Sequence, residues 1–191
     1  MTSQNTHIKI AQSLAEFEGI LSLQEQNHIE NIPILEKEIN GFVTLKQDFG
    51  VLKKMSSKAP QYIAINGDNV VGYVLTLVRS LKSEFPLLKP MFQEFKDITY
   101  KSFALENYSY VISGQVCIDK DSRGLGLLSQ MYQQMQVDLS TVYSLCLTEI
   151  AVTNKRSLKA HEKIGFRILH TYFDGIQDWH IVVWDWEQNR V

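Results

Sequence analysis

The segment IDKDSRGLGLLSQMY, Ile118 to Tyr132, joins two kinds of sequence. Before it runs an apolar stretch containing Val111, Ile112, Val116 and Ile118. It then passes through five charged or hydroxyl residues, DKDSR (Asp119 to Arg123), to Gly124-Leu125-Gly126. After the glycines, Leu128, Met131, Tyr132, Met135 and Leu139 recur at helical spacing, so a strand is followed by a helix that extends to about Leu139. Glycines at such a junction have two uses. They permit a tight strand-to-helix turn, or they present bare backbone N–H groups to an anion at a helix N-terminus, where the dipole also favours negative charge.

Two nucleotide-binding patterns are tested against this loop. The P-loop GxxxxGK[ST] is absent. The dinucleotide fingerprint GxGxxG is closer, because Gly124-Leu125-Gly126-Leu127-Leu128-Ser129 lacks only its last glycine, and the carboxylate of Glu149 ends the next strand. In that fingerprint, however, the glycines follow the strand at once and open the domain. Here DKDSR intervenes, and about 110 residues precede the loop in an order that is not βαβ.

Outward from the loop, HIKIAQ (His7–Gln12) alternates as a strand, and Ser13 with Glu16 forms a capping signature for a helix reaching about His28. The stretch from Glu30 to Phe42 is irregular and broken by Pro33, and a helix is expected from about Thr44 to Met55. Gln61–Ile65 and Val70–Val78 read as a hairpin around NGDN. Lys82–Asn107, interrupted by Pro86 and Pro90, reads as an excursion with one helix. A long strand, Tyr108–Ile118, leads into the loop. After it come the buried strand VYSLCLTEI, a helix Lys155–Ile164 stopped by Gly165, and two final strands, Phe166–Phe173 and Trp179–Trp186.

Two segments together resemble the GCN5-related N-acetyltransferase (GNAT) family: Val116–Ser129, and TEIAVTNKRSLKAHEKIGF at Thr148–Phe166. The family's first motif is a strand followed by Q/R-x-x-G-x-G/A and a helix. Arg123 stands at the Q/R place, Gly126 at the first glycine, and Leu128 where Gly or Ala is usual. Asn154, Ser157, His161, Gly165 and Phe166 match the second pattern, N-x-x-[AS]-x-x-x-[YH]-x-x-x-G-F. The resemblance covers about a quarter to a third of the chain. It implies an α/β (α+β) fold over residues 1–191 as a single domain, with a mixed, mostly antiparallel sheet of about seven strands flanked by helices.

The resemblance further implies a co-substrate, acetyl-CoA, and transfer of its acetyl group to a primary amine by direct attack. The amides of Arg123, Gly124, Leu125, Gly126, Leu127 and Leu128 would cradle the pyrophosphate, with a hydroxyl from Ser129. The strand end Val116-Cys117-Ile118 would hold the pantetheine arm through its backbone, and Asn154 would either cap its helix or bond the pantetheine amide. Acyl transfer needs a deprotonated amine, a polarised carbonyl and a proton for the leaving thiolate. Glu149, set among Leu145, Leu147, Ile150 and Val152, is the candidate base. A glutamate at the matching place has that role in bacterial ribosomal-protein alanine acetyltransferases. The alternative is a strand-end glutamate that faces solvent or is salt-bridged. His161 takes the place of the family's tyrosine, which protonates the CoA sulfur, and imidazolium would do the same work. The alternative is a packing histidine. Cys117, a small thiol in an apolar run, is not expected to form a covalent intermediate.

Composition narrows the remaining classes. A net charge of −2 gives no basic field for nucleic acid or an anionic membrane. The five histidines are scattered without metal-ligand spacing, and two cysteines are too few for a disulfide framework. No window approaches eighteen apolar residues and no signal-peptide pattern opens the chain, so a cytoplasmic compartment is the expectation. The resemblance implies an amine acceptor on a small molecule or peptide, and a homodimer is left open. A non-catalytic acyl-CoA sensor or scaffold is the alternative function, motivated by Leu128 and His161.

Overall fold

The computed structural model describes residues 6–31, 43 and 45–187. Most of the irregular stretch from Glu30 to Phe42 lies outside the described residues. Seven strands form one mixed sheet in the order β1-β2-β3-β6-β7-β9-β8. They are β1 His7–Ile10, β2 Tyr62–Asn66, β3 Asn69–Leu77, β6 Tyr110–Ile118, β7 Leu145–Ala151, β8 Arg167–Phe173 and β9 Asp178–Asp185. The pairs β1–β2, β2–β3, β7–β9 and β8–β9 are antiparallel. The β6–β7 pair is parallel and joins Tyr110, Val111 and Ile112 to Leu145, Cys146 and Leu147. Helices flank the sheet, as the resemblance implied.

The chain groups into two compact units. The first holds the described residues up to Thr76 together with Gly114–Val137. Its helix α1, Leu14–Gln26, begins with the expected capping box: Ser13 accepts from the Glu16 amide while the Glu16 carboxylate accepts from the Ser13 amide. Helix α2 is Phe49–Ser56 and starts later than Thr44, because Asp48 accepts from the Val51 amide and so sets the helix start. The buried face of α1 contributes Phe17, Ile20 and Leu23. A fully bonded polar network runs beneath it: Gln24 donates to Gln115, Tyr73 donates to the same Gln115 oxygen, and Gln115 donates to the Leu45 carbonyl. Such a network holds its members in one arrangement, since each buried polar group left unpaired costs about 1–3 kcal/mol.

The second unit holds Leu77–Ser113 and the described residues from Asp138. Its excursion contains one short α-helix, α3 Lys89–Glu94, between 3-10 turns at Pro86–Leu88 and Leu105–Asn107, and a hairpin of two-residue strands, β4 Thr99–Tyr100 and β5 Phe103–Ala104. Asp185, buried at the end of β9, pins that hairpin by accepting from Tyr100 and pairing with Lys101. The core takes Met91, Phe95, Val111, Leu145, Leu147, Ile181 and Val183. Helix α5 of this unit is Lys155–Glu162, whereas helix α4, Leu127–Leu139, begins in the first unit immediately after the glycine loop.

Candidate functional site

In the first unit, β6 ends at Ile118, and Asp119 turns the chain by accepting from the Asp121 amide. Asp119 itself donates its amide to the Val71 carbonyl, which ties the turn to β3. Arg123 folds back on the strand, its Nε donating to the Ile118 carbonyl at 3.1 Å. Gly124 and Gly126 then adopt φ of 81° and 74°, a region that side chains resist. A Cβ on Gly124 would meet nothing within 4 Å, so glycine is required there by backbone conformation and not by crowding. Helix α4 starts at Leu127, and its first ladder bond runs from the Gln130 amide to the Gly126 carbonyl. The amides before Gln130 have no partner within the helix, which is the arrangement that receives an anion. Leu127 is buried, Leu128 and Ser129 are half-buried, and Leu125 is exposed.

The strand end expected to take a pantetheine arm is half-buried at Val116 and Ile118. A Cβ on Gly72 of β3 would come within 2.7 Å of the Ile118 side chain, so glycine there lets β3 approach the strand end closely. Cys117 is buried, and burial pushes its thiol up to about 12. It remains a thiol near neutrality, in keeping with the rejection of a covalent role.

The second unit carries the expected catalytic groups. Glu149 projects from β7, and its Oε2 accepts a 2.6 Å hydrogen bond from the Tyr172 hydroxyl of β8. Burial pushes the Glu149 carboxyl up to about 7; the Tyr172 bond opposes the rise and the nearby Asp174 charge adds to it. Asp174 accepts from the Gln177 and Ile176 amides and from Trp179 Nε1. Its carboxyl is held below the ordinary range, chiefly by the Gln177 amide. Asn154 does cap its helix, with Oδ1 accepting from the Ser157 amide at 3.0 Å.

His161 has the character of the packing alternative. It is buried, its Nδ1–H donates to the Ser157 carbonyl at 2.8 Å, and its ring stands edge-on to Phe166 at 5.2 Å. Burial pushes it down to about 4, so near neutrality it is a neutral imidazole whose Nδ1 proton is already engaged. The imidazolium acid expected from the sequence would require this ring to take up a proton, which burial opposes. Phe166 leans in turn on Trp184, and Gly165 reaches φ of 118° where a Cβ would lie 2.8 Å from the Trp184 indole nitrogen. Among the described residues no cluster of histidine, cysteine or carboxylate groups is placed to hold a metal ion.

Tyr172 was missed in the sequence. The signal lay in strand register. Glu149 pairs with Ile181 and Tyr172 pairs with Trp179, two residues apart on one face of β9, so the phenol reaches the carboxylate diagonally across that strand.

No family model matches the sequence, and no curated protein matches it. Solved structures do. An N-acetyltransferase from Staphylococcus aureus Mu50 is 20% identical with a TM-score of 0.59, over 95% of this chain and 99% of that one. The NAA60 protein of Arabidopsis thaliana, solved with acetyl-CoA, is 12% identical with a TM-score of 0.62, over 95% and 99%. A GNAT-family acetyltransferase from Streptococcus pneumoniae is 11% identical with a TM-score of 0.60, over 94% and 98%. At these identities the likeness establishes the fold: the chain has the GNAT fold along most of its length.

Proposed function

We propose that the protein is an acyl-CoA-dependent N-acetyltransferase that moves an acetyl group from acetyl-CoA to a primary amine of a small molecule or peptide. The observation that carries this reading is the Arg123–Ser129 loop, where two left-handed glycines, one short turn after β6, deliver the chain into the N-terminus of α4. The GNAT fold of the whole chain supports it, as do structural neighbours solved with CoA or acetyl-CoA. In the reaction, the pyrophosphate is held by the amides of Gly124 to Leu128 and the Ser129 hydroxyl, the Arg123 amide being already donated to the Lys120 carbonyl, and the pantetheine arm lies along the backbone of Val116, Cys117 and Ile118. Glu149 takes the proton of the attacking amine. The C–S bond of the thioester breaks as the C–N bond forms, and the thiolate is protonated by water. His161 and Asn154 hold α5 in place by packing and capping. The setting is a single GNAT-like domain spanning 1–191, in the cytoplasm.

A second reading, an acyl-CoA-binding sensor without turnover, is favoured by Leu128 at the place of a small residue and by the neutral, enclosed His161. Release of free CoA thiol from acetyl-CoA in the presence of a panel of diamines, amino-acid amides and short peptides separates the two. Amine-dependent thiol release supports the transferase. Saturable acetyl-CoA binding with no release under any amine supports the sensor.

A further inference from the structure

We propose that Tyr172 is a positioning residue, fixing the Glu149 carboxylate by a hydrogen bond to Oε2 so that Oε1 is aimed to receive the proton of the attacking amine. The proposal rests on the reading of Glu149 as base. Its geometric ground is independent of that reading: a 2.6 Å bond from a buried phenol to a half-buried carboxylate, across the intervening strand β9.

The surroundings keep the phenol in the donor role. Burial and the Glu149 carboxylate drive the Tyr172 hydroxyl far above its ordinary value, so it stays protonated and donates throughout the working range. Asp174, at the end of the same strand, bears a charge that raises Glu149 and also acts on Tyr172. Glu94 of α3 acts on Tyr172 too, and it is itself bonded by His170 Nε2 at 3.1 Å. The neighbouring Thr171 hydroxyl lies 2.8 Å from His180 Nδ1 on β9. Burial and the Asp174 charge therefore favour a protonated Glu149. The phenol is the group that favours the ionised base. In the step itself one proton moves from the amine nitrogen to Oε1, and Tyr172 keeps its own.

The test is the Tyr172→Phe variant, which keeps the ring and removes the hydroxyl. The protonation of Glu149 is followed by carbon NMR of the labelled side-chain carboxyl, with Glu149→Gln identifying the signal. Loss of a hydrogen bond to a charged acceptor should raise the Glu149 midpoint by about one pH unit, and the acid limb of the kcat profile should move with it. Near neutrality kcat should fall about fivefold, approaching tenfold on the acid limb, while the Kd for acetyl-CoA stays within about twofold. Incorporation of 3-fluorotyrosine at position 172 gives a stronger donor in the same shape and should lower the midpoint, which settles the matter even if the phenylalanine variant folds poorly. An unmoved carboxyl midpoint in both variants overturns the positioning role. A moved midpoint combined with full activity in Glu149→Gln retains the bond between the two residues and discards Glu149 as base, so the two readings fail separately.

Discussion

A carboxylate set in an apolar strand changes its worth with pH, and Glu149 illustrates the sign. Its folded value is about 7 against an ordinary 4.5, so the folded protein holds this proton more tightly than the unfolded chain. The associated stability is complete below about pH 4.5 and is lost as pH rises through about 7. Ionised Glu149 therefore costs the fold on the order of 3 kcal/mol above neutrality. Glu149→Gln, which keeps an oxygen for Tyr172, should unfold at higher denaturant than the parent at pH 8 and lose that advantage near pH 4. The same substitution should lower turnover by roughly 10²–10⁴ with acetyl-CoA affinity little changed, as steady-state kinetics and calorimetry would record. Parent activity should fall as pH drops below about 7, because the base must be ionised. His161 runs the other way. Held near 4, it contributes stability present above about pH 6.5 and lost as pH falls through about 4. His161→Phe should change turnover far less than Glu149→Gln and should cost about 1 kcal/mol in denaturant melts for the lost bond to the Ser157 carbonyl.

At the scale of elements, the glycines show what was local and what was not. Gly124 and Gly126 were legible because a left-handed residue before a helix is encoded within a few positions. The Ser13–Glu16 capping box and the stop at Gly165 were legible for the same reason. Gly165→Ala meets both an unfavourable φ and the Trp184 indole, so it should destabilise by about 3 kcal/mol in equilibrium unfolding. Gly124→Ala meets open space and should cost only about 1 kcal/mol, the backbone part alone. The β4–β5 hairpin was not legible. Its turn residues Lys101 and Ser102 sit at φ of 43° and 72° without the Asn or Gly that marks such turns, and their conformation is imposed by the tertiary pairing of Lys101 with buried Asp185. The Glu149–Tyr172 bond was hidden for a related reason: it depends on the register of three strands, one of them bulged between Ile168 and His170.

Over the whole molecule, the resemblance carried by the two motifs implied a mixed seven-stranded sheet, and the sheet has that form. The surrounding order of hairpin, loop and terminal strands then left few topologies. The acceptor side was not legible, since loops and register decide it and neither repeats with a period. The proposed chemistry stands first on donor binding, and donor binding is measured without knowing the acceptor. Isothermal calorimetry of the parent protein with acetyl-CoA and, separately, with NAD is the most direct test, repeated on Gly126→Val, whose new side chain is placed at φ of 74° in the loop. Acetyl-CoA should bind the parent saturably and NAD should not, and acetyl-CoA affinity should fall at least tenfold in a variant that still unfolds cooperatively. Tight NAD binding by the parent with no heat from acetyl-CoA would contradict this.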